Sequence, residues 1–338
     1  MTSRRTILKG LIAAPALVAV GCAQRVSTTP AGVLNVGQIS NSVAFLPLFI
    51  AEKKGYFTDE GITLGERPRL GTGAKVAAAL KSGSVDVGAG VITDAFNLAK
   101  IDDGTRIVSS LVTEYYVDIV VPPKFDGPGD DASLSRKAKA LVGRTIGITG
   151  PASGTEALVK YLFGSVGKNA ATDSTLVNLG SAATAAIGAL KAGRVDVLAF
   201  FQPIAQQAEA AGIGRTYISP ARGDVPSLRG ALHGVTFSTR KLLDRKKKEI
   251  VGFQRAMQRA LTDVHESPAE TRELLGEYLK SSKPKTLDAL MPILGKEMPK
   301  SPAINEKAYQ TAVRFHLDSG LVRKAPAYAA VIPEALRN

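Results

Sequence analysis

The 338-residue chain has no tryptophan, a single cysteine, Cys22, and three histidines, His233, His265 and His316, that stand far apart. One cysteine excludes a disulfide framework within the chain, and three scattered histidines give none of the close spacings of a zinc site. The sequence also lacks a Gly-x-Ser-x-Gly nucleophile elbow, a His-Glu-x-x-His helix and a Gly-rich phosphate loop closed by lysine. It has no long apolar run either: Leu11 to Val20 is too short to cross a bilayer as a helix. What is left is ordinary globular composition, 45% hydrophobic and 22% charged, in a length that suggests two domains of about 100 to 200 residues.

The most informative feature present is a phrase used twice. Ala79-Leu80-Lys81-Ser82-Gly83-Ser84-Val85-Asp86-Val87 returns as Ala189-Leu190-Lys191-Ala192-Gly193-Arg194-Val195-Asp196-Val197, identical at seven of nine positions. Each copy reads as a helix with Lys in its last turn, a Gly placed to end it in the left-handed conformation, and a β-branched start to a strand. Small residues open both helices, in Leu70-Gly71-Thr72-Gly73 and Leu179-Gly180-Ser181. A single repeat is too sparse for a solenoid and reads as two similar lobes, so that a ligand between them meets two helix N-termini.

Residues 1–22 have a separate grammar. Arg4-Arg5 resembles a twin-arginine export signal, and Val20-Gly21-Cys22 resembles the end of a bacterial lipobox, in which Cys22 is lipidated and becomes the first mature residue. Either lipidated or simply cleaved, the mature chain is expected outside the cytoplasm, in the periplasm or cell envelope. Its formal charge of +13 drops to +10 when Arg4, Arg5 and Lys9 leave. An exported protein has little nucleic acid to meet, and the densest basic run, from Arg240 to Lys248, reads as the solvated start of a helix.

After a tether over 23–32, the pattern alternates strand and helix. A strand over 33–38 is followed by helices near 47–54, 74–82 and 93–100 and a strand at 85–89, which gives α/β class. The β-rich stretch 106–122 ends at Pro122-Pro123 and a Gly/Asp loop, and Thr145-Ile146-Gly147-Ile148-Thr149 starts a second α/β series. Irregular sequence over 218–234 leads back, and helices are expected at 241–266, 268–281, 284–296 and 305–318, packed on the first lobe. The domain boundaries are therefore 33–118 with 225–338 for lobe 1 and 119–224 for lobe 2.

Asn41-Ser42-Val43-Ala44-Phe45-Leu46-Pro47-Leu48-Phe49-Ile50-Ala51-Glu52-Lys53-Lys54-Gly55-Tyr56-Phe57, the two Ala-Leu-Lys-x-Gly-x-Val-Asp phrases, Leu141-Val142-Gly143-Arg144 and Phe201-Gln202-Pro203 together resemble one family. It is that of the substrate-binding proteins of ABC importers for nitrate, sulfonates, taurine and thiamine-precursor pyrimidines. The resemblance covers roughly 33–240. It implies a type II periplasmic-binding-protein fold, two α/β lobes joined by two crossovers with a ligand cleft between them. It further implies a small-molecule solute, permease and ATPase partners, no cofactor and no catalysis. Some relatives of the fold are enzymes of thiamine-pyrimidine synthesis, and their cysteine-rich cluster is absent here.

Asp86 and Asp196 recur but lie at helix-to-strand turns, away from the strand C-terminal ends where ligands of open α/β sheets bind; they read as structural. The candidate ligand residues are instead on loops after strands: Asn41, Ser42, Val43, Gly71, Thr72, Gly73 and Thr93 from lobe 1, and Ser153, Gly154, Thr155, Gly180 and Ser181 from lobe 2. Unsatisfied backbone donors and the positive helix end suit these loops to an anion, with helix capping the alternative use of each hydroxyl. Tyr115, Tyr116, Phe200 and Phe201 are candidates for an apolar wall or for core. The expected function is a membrane-anchored, monomeric solute-binding lipoprotein that delivers an organic anion, sulfonate-like or a related carboxylate, by lobe closure. A solute-sensing or partner-docking lipoprotein, and a binder of a neutral pyrimidine, stay open.

Overall fold

The computed structural model describes residues 29–280 and 282–337; the export signal, Cys22 and the tether up to residue 28 lie outside them. The chain opens with β1 (Val33–Leu34) and β2 (Val36–Gln38), separated at Asn35, where the sequence reads one strand. The first series continues through α1 (Leu46–Lys53), α2 (Tyr56–Asp59), β3 (Thr63–Leu64), α3 (Gly73–Ser82), β4 (Val87–Val91), α4 (Ile92–Ala99) and β5 (Thr105–Val112). The second series is β6 (Val117–Val121), α5 (Leu134–Lys139), β7 (Thr145–Ile148), α6 (Gly154–Gly164), β8 (Thr175–Asn178), α7 (Ala183–Lys191), β9 (Val197–Phe201), α8 (Ile204–Ala210) and β10 (Arg215–Ile218). After β11 (Gly234–Thr239) the chain is helical: α9 (Arg240–Arg245), α10 (Lys247–Glu266), α11 (Pro268–Tyr278), α12 (Pro284–Glu297), α13 (Glu306–Asp318) and α14 (Tyr328–Val331).

Strands pair in the order β2-β4-β11-β5 in one sheet and β10-β6-β9-β7-β8 in the other, with β1 and β3 as a separate parallel pair. In the first sheet β2 and β4 are parallel and β11 is antiparallel to both β4 and β5; in the second, β7 is parallel to β8 and β9. The chain crosses from β5 to β6 at 113–116 and returns from β10 to β11 at 219–233. These are two α/β lobes with two crossovers, as the resemblance implies. The stretch 106–122 thus belongs to two sheets, because its chain leaves one ladder and joins the other at 113–116.

Local chemistry explains where the helices begin. Thr72 Oγ1 accepts the Lys75 N–H and Ser153 Oγ the Glu156 N–H, each at 3.3 Å, supplying acceptors that the first turns of α3 and α6 lack. β4 and β9 are buried along their whole length, as central strands between covering layers are.

The helix expected over 241–266 breaks at Lys246, and that residue is buried. Its Nζ donates to the carbonyls of Thr29, Pro30 and Val33. One lysine of the basic run therefore anchors the start of the fold instead of facing solvent, since three carbonyl acceptors replace its hydration. Nor do the C-terminal helices serve lobe 1 alone. Apolar residues of α12, Leu287, Leu290 and Leu294, join a core cluster that also holds Leu198, Phe200 and Ala205 of the second lobe, and Phe315 of α13 joins that lobe's own core.

Candidate functional site

A cavity of about 440 Å³ lies between the lobes. Gly71, Thr72 and Gly73 border it from lobe 1, Ser153, Gly154 and Thr155 from lobe 2, and Ser181 precedes α7 beside it. Tyr116 on the first crossover and Phe201 at the end of β9 supply aromatic wall. Thr72, Ser153 and Ser181 thus share one cavity. The first two hydroxyls cap their helices, however, and Ser153 Oγ also lies 2.6 Å from the Gly150 carbonyl oxygen, to which it donates.

Five of the loop candidates stand elsewhere. Ser42 is fully buried, its Oγ donating to Gln202 O at 3.2 Å and accepting the Ala44 N–H, and Val43 is core. Thr93 is also fully buried, with its hydroxyl 2.6 Å from His316 Nε2. His316 Nδ1–H donates to Ala312 O, leaving Nε2 to accept from Thr93. Gly180 forms the turn after β8, its N–H bonded to Asn178 Oδ1. Asn41 borders an adjoining chamber rather than this cavity, and Tyr115 and Phe200 are core.

Three side chains that sequence reasoning passed over give the cavity its chemistry. Asp94, in the first turn of α4, is 6% exposed and its Oδ2 accepts the Val91 N–H at 2.9 Å. A Cβ at Gly73 would lie 1.8 Å from its Oδ1, and one at Gly90 2.6 Å from its Oδ2. Those two glycines leave the space that the carboxylate fills. Burial pushes the Asp94 carboxyl up to about 6. Among the described residues the only other charged group lining the cavity is exposed Lys81.

His233, at the end of the second crossover, is fully buried between Tyr115 and Tyr116, with ring centroids 3.9 and 4.6 Å away, and neither ring nitrogen has a partner. Burial holds it well below the usual histidine range, so the ring is neutral. Asn97 reaches across the lobes, its Nδ2 donating to Ala152 O at 3.0 Å. Ala152 takes a left-handed φ of 57°, a costly conformation for a residue with a Cβ, and its N–H is held by Glu156 Oε2 at 2.6 Å. Asp94 was open to the same argument that singled out Thr93, its neighbour after β4.

Residues 28–279 match the profile of the NMT1-like family. The chain belongs to that family. No curated protein matches it. Among solved structures it resembles a protein of Bordetella bronchiseptica RB50, 22% identical with a TM-score of 0.76 over 89% of this chain and 94% of that one. It also resembles the ligand-binding component of an ABC-type import system from Staphylococcus aureus with zinc bound, 16% identical, TM-score 0.71, over 90% and 97%. The alkanesulfonate-binding protein SsuA of Xanthomonas axonopodis pv. citri, bound to MOPS, is 18% identical with a TM-score of 0.70 over 90% and 100%. The fold of this NMT1-like protein is therefore the periplasmic-binding-protein fold. Among the described residues no group of three or more His, Cys, Asp or Glu is placed to hold a metal ion. The interlobe cavity offers hydrogen bonds, aromatic surface and one buried carboxyl, which are means of binding.

Proposed function

We propose that this NMT1-like protein is the extracytoplasmic solute-binding component of an ABC importer, and that it binds a small organic solute between its lobes without transforming it. The observation that carries this reading is the 440 Å³ cavity bordered by helix-start loops of both lobes and bridged by the Asn97 to Ala152 hydrogen bond. A ligand there gains contacts from both sides, and the closed state rises by no more than that differential affinity. The moving units are 33–118 with 225–338 and 119–224. Lipidation at Cys22, after export by the twin-arginine route, would keep the protein at the membrane beside a permease and an ATPase. The alkanesulfonate-binding and import-system relatives support the transport reading over a sensory or docking role.

Among the described residues the expected anion finds no cation beside it in this cavity except Lys81, and it would lie near Asp94. An organic body with hydrogen-bonding groups suits the walls better than a bare nitrate or sulfonate, because like charge and desolvation both oppose a compact anion there. The test is a thermal-shift screen of the mature chain, unfolded and refolded to strip carried ligand, against sulfonates, nitrate, aromatic carboxylates and pyrimidines. A solute at 100 times its Kd adds about 2.7 kcal/mol, or about 5 °C for a chain of this size. A melt unmoved by every class, in protein shown to be refolded, would overturn solute binding in favour of docking.

A further inference from the structure

A second chamber, of about 600 Å³, adjoins the first. The two share a waist of Ile39, Ser40, Gly71, Ser181 and Phe201. They differ in charge. The first holds Asp94; the second is bordered by Arg67, Arg69, Lys280 and Glu277. Arg67 is paired with Glu52 and Glu277 with Lys53, each at 2.7 Å. Among the described residues Arg69 and Lys280 make no ion pair. Arg69 is oriented by Nε on Asn41 Oδ1 at 2.7 Å and Nη1 on the Arg67 carbonyl at 2.8 Å, which leaves Nη2 free to donate.

Resting on the solute-binding reading above, we propose that the solute is an elongated organic acid that spans both chambers, its acid group against Arg69 and a hydrogen-bond-donating end against Asp94. The acid is drawn to the unpaired guanidinium and kept from the carboxylate floor of the first chamber. The unprotonated ring nitrogen of neutral His233 and the carboxylate of Asp94 accept from the donor end, while Tyr116 and Phe201 flank the body. The two contacts are close along the chain: Arg69 and Gly73, which abuts Asp94, are four residues apart, so their Cα atoms are separated by no more than about 14 Å before the reach of the Arg69 side chain is added. One ring with a short side chain fits within that span.

Titration calorimetry on the refolded mature chain tests this with 3-(4-aminophenyl)propanoate as probe. The comparison compounds are 3-(4-aminophenyl)propanamide, which lacks the acid, 3-phenylpropanoate, which lacks the donor, and ethanesulfonate and nitrate as compact anions. The expected result is at least about tenfold weaker binding of each comparison compound, the cost of losing one well-made polar contact in a closed site. Arg69→Leu, a change at an exposed side chain, should bring propanoate and propanamide within about twofold of each other. Equal binding of acid and amide by the unaltered protein, or an acid preference that survives Arg69→Leu, would overturn the proposal. Tight binding of ethanesulfonate or nitrate with no binding of the probe would overturn it too, yet would leave solute binding intact. Silence toward all five compounds overturns it as well, and the wider screen then decides solute binding itself.

Discussion

The two lobes solve the same corner with the same words and surround it differently. Asp86 Oδ2 accepts the Asn35 N–H at 3.0 Å, and Asp196 Oδ2 accepts the Thr145 N–H at 2.8 Å, each across 51 residues of sequence. In both, a carboxylate at the helix-to-strand turn ties down the start of the parallel strand beside its own, β2 in one lobe and β7 in the other. Asp86 is nevertheless buried, with Arg245 at 3.6 Å, while Asp196 is exposed. The repeated phrase fixes the hydrogen bond; burial is imposed from outside it, by the C-terminal helices that cover one corner and not the other. The cleft shows the same contrast. Asp94 opens α4 from a buried position without a salt bridge among the described residues, whereas Glu156 opens α6 half-buried, with Lys160 Nζ at 3.6 Å.

The largest test of this contrast is pH. With the Asp94 carboxyl raised from 3.8 to about 6, the native chain keeps a proton there that the unfolded chain has released. Stability therefore falls as pH rises from about 4 to about 6 and stays lower above that range. Asp94→Asn should remove this loss, stabilising the unliganded protein by about 3 kcal/mol above pH 6 and by little below pH 4, as about 1.4 kcal/mol per pH unit requires. Glu156→Gln, in a solvated pair, should change stability by less than about 1 kcal/mol at any pH. Denaturant unfolding of both variants across pH 4 to 8 measures the difference, and parallel profiles would refute it. Next in size is the repeated aspartate. Asp86→Ala strips the half-buried Asn35 N–H of a buried charged acceptor and leaves Arg245 without its partner, at a cost of about 2 to 3 kcal/mol; exposed Asp196→Ala should cost about 1 kcal/mol. Equal losses would mean that the cover over Asp86 adds nothing.

What the sequence made legible is what short stretches determine. The caps at Thr72 and Ser153, the glycines after α3 and α7, and the alternation of strand and helix can each be read within a few residues, and the two lobes followed from the repeat. For the candidate site only backbone placement was legible: loops after strands, those of Gly71 to Gly73 and Ser153 to Thr155, border the interlobe cavity. Its side-chain chemistry was not, because the decisive partners are distant. The Ser42 hydroxyl bonds to Gln202, 160 positions away, and that of Thr93 to His316, 223 positions away, partners that no local pattern announces. His233 looked like a lone histidine in irregular sequence, and nothing local says that two tyrosines from the other crossover enclose it. Arg69 acquires meaning only when Tyr278 of α11 and Phe201 of the other lobe close a chamber around it.

The smallest prediction sharpens the comparison by asking where the two corners should not differ. Gly83 and Gly193 follow the ends of α3 and α7 with φ of 73° and 65°. That region costs a residue bearing a Cβ about 1 kcal/mol or more, through contact of the Cβ with its own backbone and not with neighbours. At Gly193 a Cβ would meet nothing within 4 Å, so the backbone term stands alone there. Gly83→Ala and Gly193→Ala should therefore destabilise by similar amounts, about 1 kcal/mol each, although one corner is covered and the other open. Asn tolerates the left-handed region better than Ala, so Gly→Asn at either position should recover part of the loss. Denaturant midpoints for the four variants check this. A Gly83→Ala cost that exceeds its counterpart by more than about 1 kcal/mol, with no recovery in Asn, would show that the C-terminal cover reaches the turn as well as the aspartate.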